Sequence, residues 1–256
     1  MKTKIIIAAV IIAAAALLAL VSIPSKKNPA TRNTLSEIRL DYANWSPIGL
    51  VLRQQGYLEE DLKKDGIRVR WVFSQGSNKS MEFLRSGSVD VGSSAGVAAL
   101  ISFINGNPVK TVYITTTPEW TALLLKPGST VKDVAGLKGK TIAATPGTDP
   151  YVFMVRTLAG AGLSLNDVKV VTLQHPDGKN ELLRGRVDAW AGLDPLMAQA
   201  ELAGAKYLYR NVDFNTYNVI SVRREFAEAH PEIVTRVLAA YEKARKWAQE
   251  HPAEYL

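Results

Sequence analysis

From residue 38 onward, short apolar runs alternate with amphipathic stretches at helical spacing. The first set predicts a strand over 38–42, a helix opened by Ser46-Pro47 and running to about 64, and a strand over 68–73. A helix over about 78–85, a strand over 89–92, a helix over 97–104 and a strand over 109–115 follow. After Pro118-Glu119-Trp120 a second set begins, with strands over 122–125 and 141–144 and a helix entered through Thr148-Asp149-Pro150. It continues with a strand over 168–173, a helix over 179–184, a strand over 187–192, a helix over 195–203 and a strand over 207–209. A strand over 219–222 points back toward the first set. The final helix, 231–250, carries Ile233, Val237, Leu238, Tyr241 and Trp247 on its apolar side. Successive strand-helix units imply parallel sheets covered on both faces.

The two sets share a phrase. Residues 84–90 read L-R-S-G-S-V-D and residues 183–188 read L-R-G-R-V-D. Each closes an amphipathic helix with a glycine, Gly87 or Gly185, and enters a short apolar strand. Two similar α/β lobes are the simplest reading, with the carboxyl ends of their strands facing one cleft, where open sheets of this kind bind ligands.

Ahead of the domain, Lys2 and Lys4 precede an unbroken apolar run over 5–21, the order of a secretory signal or an N-terminal anchor. Residues 1–25 are therefore read as an export segment and 26–36 as a polar linker. The apolar pattern breaks off after His251-Pro252 without a capping element, so the natural chain is expected to continue past Leu256. The sequence contains no cysteine, which excludes disulfides, thiol chemistry and thiolate metal sites. Without the export segment 29 basic residues face 24 acidic ones, mixed along the chain, and this argues against nucleic acid as a partner.

Gly92-Ser93-Ser94-Ala95-Gly96 fits the G-x-S-x-G nucleophile elbow, although no oxyanion segment precedes it and the histidines (His175, His230, His251) all lie beside proline. Gly139-Lys140-Thr141 lacks the leading glycine of a phosphate-binding loop. No metal-ligand spacing occurs and no cofactor is implied. More informative are four polar turns at predicted helix starts: Trp45-Ser46-Pro47, Gln75-Gly76-Ser77, Ser93-Ser94 and Thr145-Pro146-Gly147-Thr148-Asp149. Ordinary N-capping explains any one of them. Four around one cleft can hold a small oxyanion on amides, hydroxyls and helix dipoles without an arginine. Trp45, Trp120 and Trp190 fall in the same turn regions and could wall an alkyl or aryl tail.

The runs 145–150, Gln174-His175-Pro176-Asp177 and, above all, Asp188-Ala189-Trp190 followed by Asp194-Pro195 resemble the aliphatic sulfonate-binding proteins of ABC importers. The similarity extends from about residue 38 to the end. It implies a two-lobe periplasmic-binding-protein (type II) fold, each lobe a mainly parallel sheet flanked by helices, joined by two crossover strands. Lobe 1 would be 37–116 plus 217–256 and lobe 2 117–216. It implies a monomer that takes up a small organic anion, an alkanesulfonate, and delivers it to a membrane permease without covalent chemistry. By motif, Trp45 and Ser46 match the first ligand turn, Gln75, Gly76 and Ser77 the second, and Ser93, Ser94 and Ala95 the third. Glu119, Trp120, Thr148, Trp190 and Asp194 match further ligand positions, and Asp149 completes the turn at 145–149. Many members have a Gly-Gly-Pro-type turn where this chain has Gln75-Gly76-Ser77, so taurine, nitrate or another small oxyanion stays open as the ligand.

Overall fold

The two sheets repeat one strand order. A computed structural model describes residues 35–255; the export segment and most of the linker lie outside them. The chain runs β1 (Glu37–Tyr42), α1 (Pro47–Gln55), α2 (Tyr57–Lys63), β2 (Arg68–Phe73), α3 (Ser77–Ser86), β3 (Val91–Ala95), α4 (Gly96–Ile104) and β4 (Val109–Thr116). It passes into β5 (Thr121–Leu125), β6 (Thr141–Ala144), α5 (Asp149–Gly160), β7 (Lys169–Thr172), α6 (His175–Leu183), β8 (Ala189–Leu193), α7 (Leu196–Leu202) and β9 (Lys206–Tyr209). β10 (Asn218–Arg223), α8 (Arg224–Ala229), α9 (Pro231–Glu250) and α10 (Pro252–Tyr255) complete it. The sheets are ordered β2-β1-β3-β10-β4 and β7-β6-β8-β5-β9.

In each sheet one strand is reversed. β1 pairs in parallel with β2 and β3, whereas β10 is antiparallel to β3 and β4. Likewise β6 is parallel to β7 and β8, and β5 is antiparallel to β8 and β9. The reversed strands are the two that arrive from the other lobe. They are continuous with the crossover segments, 117–120 and 210–217.

Burial on both faces explains the composition of the inner strands: every residue of β3, β5 and β8 is buried. Around the second sheet, Phe153, Met154 and Leu158 pack on Ile142 and Leu137 from one side. Leu182, Trp190 and Met197 fill the other. In the first lobe Met81, Leu84, Val89 and Val219 form the matching layer. On α9, Ile233, Val237 and Tyr241 are buried as the pattern predicts, while Leu238 and Trp247 are only partly covered.

Three elements differ from the sequence reading. The helix expected over 47–64 breaks at Gly56, whose φ of 65° is left-handed, and its carbonyl accepts the Glu60 amide to start α2. Strand β3 begins at Val91 rather than 89. Asp90 first bonds to β1 through both backbone and side chain: its amide donates to the Arg39 carbonyl (2.7 Å) and its carboxylate accepts the Arg39 amide (3.0 Å). The strand then runs through Ser93, Ser94 and Ala95. Helix α6 starts at His175 instead of 179, with Pro176 in its first turn.

Candidate functional site

Helices α1, α3, α5 and α6 all open at carboxyl ends of strands, and none has a side-chain cap. The two hydroxyls best placed to cap are bonded elsewhere. Ser46 Oγ accepts from Asn218 Nδ2 (3.3 Å), and Thr148 Oγ1 donates to the Thr145 carbonyl (2.6 Å). By contrast Ser164, before the short 3-10 turn Leu165–Asp167, makes a full capping box. The first-turn amides of α1, α3, α5 and α6 therefore remain available to an external acceptor. Ser77, the first residue of α3, accepts the Ala95 amide on its Oγ (2.9 Å) and keeps its own proton.

The lobes meet on an aromatic pair. Trp45 and Trp120 stack edge to face with centroids 5.8 Å apart, in a buried cluster with Ala95, Ala98 and Leu193. Trp45 Nε1 is buried without a partner among the described residues. Trp120 Nε1 donates to Asp149 Oδ2 (2.9 Å). Asp149 also accepts the amide (3.0 Å) and hydroxyl (2.9 Å) of Thr216 in the second crossover, and Thr216 Oγ1 receives the amide of Val97 at the start of α4 (3.3 Å). Asn215 Oδ1 accepts the amides of both Trp120 and Thr121 (3.0 Å each). Both crossovers are thus tied to one buried carboxylate and one amide side chain. Burial raises the Asp149 pKa against these bonds.

Beside the tryptophans lies a cavity of about 440 Å³ lined by Asn44, Trp45, Pro47, Glu119, Trp120 and Asp194, among others, with no Lys or Arg in its wall. Glu119 is exposed and paired with Arg210 (3.0 Å). Asp194 is half-buried, accepts the Ala198 amide (3.3 Å), and has its pKa raised by burial. Gln75 is exposed, whereas Gly76 and Ser77 beside it are buried.

Across the same seam, His175 of α6 packs on Gly76. A Cβ at Gly76 would lie 3.1 Å from His175 Cδ2, 3.4 Å from its Nε2 and 2.8 Å from Asn78 Oδ1. His175 is 1 % exposed, and burial lowers its pKa to about 4. In the first lobe, Asp41 accepts the Ser93 amide (2.7 Å) and the Ser74 hydroxyl (2.8 Å); burial pushes its pKa up to about 6.

Several expectations need correction. Ser93 and Ser94 do not form a helix-start turn: they are interior residues of β3, opposite Ile220 and Val219 of β10. Neither hydroxyl has a hydrogen-bond partner among the described residues, so Ser94 has no base in reach and the elbow geometry is not formed. Trp190 lies in the core of the second lobe, 0 % exposed, because Gly178 of α6 leaves room for its indole. It cannot wall a tail. Asp149 is saturated by Trp120 and Thr216 and serves as a joint, not a free ligand group. Sequence reading assigned no site role to His175, Asn78, Asn215, Thr216 or Asn218. His175-Pro176 was the available signal for a helix start, but the predicted helix was placed one turn too late.

A family model described as NMT1/THI5 like matches residues 49–255. A Bacillus subtilis protein bearing the name of an aliphatic sulfonates-binding protein is 31 % identical over 231 residues, 85 % of this chain and 67 % of that one. Among solved structures, the alkanesulfonate-binding protein SsuA of Xanthomonas axonopodis pv. citri bound to MOPS superposes with a TM-score of 0.80 at 25 % identity, covering 86 % of this chain and 76 % of that one. The periplasmic aliphatic sulphonate binding protein SsuA of Escherichia coli gives 0.71 at 26 % identity, with 86 % and 72 % covered. With the repeated sheet order, the two crossovers and the uncapped helix starts between the lobes already in place, these matches establish that the chain belongs to the NMT1/THI5-like family.

Proposed function

We propose that this chain is an exported, monomeric solute-binding protein that captures aliphatic sulfonates between its lobes and hands them to the membrane permease of an ABC importer. The observation that carries this reading is the set of uncapped helix starts drawn from both lobes, beside a Trp45 indole N–H that has no partner among the described residues. A sulfonate offers three oxygens to such donors and needs no cationic side chain. Trp45, Ser46, Gly76, Ser77 and Thr148 stand around the anion, and the cavity between Trp45, Trp120 and Asp194 takes the tail. Residues 37–116 with 217–256 and residues 117–216 act as the two lobes, closing about the crossovers. Residues 1–25 direct export. No covalent step is required.

A thermal-shift panel of alkanesulfonates, sulfate, nitrate and amino acids tests the assignment. A ligand at 100 times its Kd adds about 2.7 kcal/mol to the folded state. Sulfonates should raise the melting temperature; stabilisation by nitrate or an amino acid alone would overturn the ligand class.

A further inference from the structure

We infer that the contact between Gly76 and His175 is a pH-sensitive latch: the lobes close on a neutral His175 ring, and a proton placed on that ring opens the cleft and lets the anion go. The inference rests on the two-lobe solute-binding reading above and adds a control to it. Thr145 Oγ1 has one proton and gives it to the Leu173 carbonyl (2.6 Å), so its 3.3 Å contact with His175 Nδ1 is donated by the ring. Nδ1 therefore carries the hydrogen and Nε2 the lone pair. The Nδ1 edge is engaged by its own lobe. The other edge meets the first lobe: a Cβ on Gly76 would stand 3.1 Å from Cδ2 and 3.4 Å from Nε2, so the glycine backbone is packed on that edge with no room between.

The seam is shut at other points too. A Cβ on Gly147 of the second lobe would lie 3.8 Å from Asn78 Cβ of the first, and α4 touches α5. His175 is 1 % exposed, and its Nε2 has no partner among the described residues. A second ring proton would be buried there against a glycine, which is costly without a hydrogen bond to receive it. Separating the lobes uncovers the Nε2 edge to water and removes that cost. Thr145 and Gly76, the groups packed on the ring, do not titrate. On the adjoining segments Asp149 is held by Trp120 and Thr216, Asp41 by Ser74 and Ser93, Glu82 by Lys79 (2.6 Å), and Lys179 bonds Gln199 (2.8 Å); Asp177 is exposed. Burial alone lowers the ring's pKa from 6.5 to about 4. A depressed pKa in the closed form means that closure is fully favoured above pH 6.5 and loses favour as pH falls toward 4.

Titration calorimetry with propanesulfonate, whose sulfonate stays ionised throughout, at pH 7 and pH 5 tests this, together with small-angle scattering of the ligand-free protein at the same two values. Wild type should bind about 3- to 30-fold more weakly at pH 5, the upper end if the free lobes stand open and the lower end if they are mostly closed. Its ligand-free radius of gyration should rise over the same step. His175→Gln keeps a polar side chain at the seam but cannot take the proton, and it should remove both changes. If that variant does not fold, Gly76→Leu replaces it: the added side chain does not fit, so the radius at pH 7 should already match that of wild type at pH 5. An unchanged radius in Gly76→Leu would overturn the inference. So would a wild-type affinity and radius that both stay level, because Asn78 Oδ1 would then be receiving the added hydrogen with the seam still shut. The same weakening and expansion in His175→Gln would also overturn it. If propanesulfonate binds at neither pH, the sulfonate reading falls, and the scattering step still decides the latch.

Discussion

Residues 77–90 and 175–188 occupy the same place in the two lobes, and the contrast between them separates what the fold requires from what the ligand requires. In both, a left-handed glycine ends the helix, with φ of 72° at Gly87 and at Gly185. In both, an aspartate then locks the next strand to its parallel neighbour, β1 in the first sheet and β6 in the second. Asp90 accepts the Arg39 amide and Asp188 the Thr141 amide, each at 3.0 Å, and each returns its own amide to that residue's carbonyl. Registers agree, with Leu40 opposite Val91 and Ile142 opposite Ala189. Past that point the copies diverge. Gly92 lies under Ser80 and Leu84 of α3, whereas Trp190, its counterpart, lies under Gly178 of α6. Large and small have changed sides with the layer preserved. Polar groups did not follow this rule: the positions of Asp41, Ser93 and Ser94 in the first lobe are taken by Ala143, Ala191 and Gly192 in the second. The shared part is architecture, and the polar inventory belongs to one copy.

The size exchange can be broken most severely at Trp190. Trp190→Ala leaves a cavity in a core that cannot close over it and should cost about 3–5 kcal/mol. Its relative affinities for short and long sulfonates should not change. Urea unfolding with parallel calorimetry checks both; a selective loss for long tails would return Trp190 to the site.

Next in size are two buried ionisable groups, one taken from each lobe, whose effects have opposite sign. Asp41 has its folded pKa raised from 3.8 to about 6. Its contribution to stability is full below pH 3.8 and lost as pH rises toward 6. His175 is lowered from 6.5 to about 4, so its contribution is full above pH 6.5 and lost as pH falls toward 4. Each shift corresponds to about 3 kcal/mol. The two contributions should therefore nearly cancel between pH 4 and 6. Relative to wild type, Asp41→Asn should gain stability with rising pH and His175→Gln should lose it. Parallel shifts of both variants would show that the lobes do not oppose each other.

The strand locks differ in burial and so should differ in energy. Asp90 is 2 % exposed with Arg39 and Arg223 both on its Oδ1, while Asp188 is 26 % exposed and held by Lys126. Asp90→Ala should cost about 2–3 kcal/mol and Asp188→Ala about 1 kcal/mol. Equal costs in urea unfolding would put the energy in the shared backbone bonds rather than in the cations.

The architecture was legible because it is written in period and punctuation. Alternating apolar runs, Gly87, Gly185 and the Ser46-Pro47 start are local signals, and the paired phrases L-R-S-G-S-V-D and L-R-G-R-V-D exposed the duplication. The site was less legible because it depends on distant partners. Nothing near Asp149 in sequence says that Thr216 and Trp120 will saturate it, and nothing beside Trp190 says that Gly178 will sheathe it. Strand β3 was misplaced by two residues, and that slip moved Ser93 and Ser94 from strand to turn. Nothing beside His175 in sequence says that it will pack on Gly76, about a hundred residues away.

The smallest expected effects distinguish two serines that the sequence placed together. Ser77 lies at an uncapped helix start with its oxygen on the Ala95 amide and its proton unspent. Ser77→Ala should weaken sulfonate binding about 5- to 150-fold, the loss of one hydrogen bond to a charged group, and cost the apo protein about 1 kcal/mol. Ser94 lies inside β3 with a hydroxyl that has no partner among the described residues, and its counterpart Gly192 has no room for any side chain, since a Cβ there would be 2.6 Å from Met197 Cγ. Removing an unsatisfied buried hydroxyl relieves a desolvation cost. Ser94→Ala should then stabilise the apo protein by up to about 1 kcal/mol and leave affinity within about twofold, as an uninvolved site does. Chemical denaturation and calorimetry on both variants give the two readouts. If Ser94→Ala weakens binding as much as Ser77→Ala does, the strand end is part of the anion site and the polar inventory of the first lobe reaches deeper into its sheet.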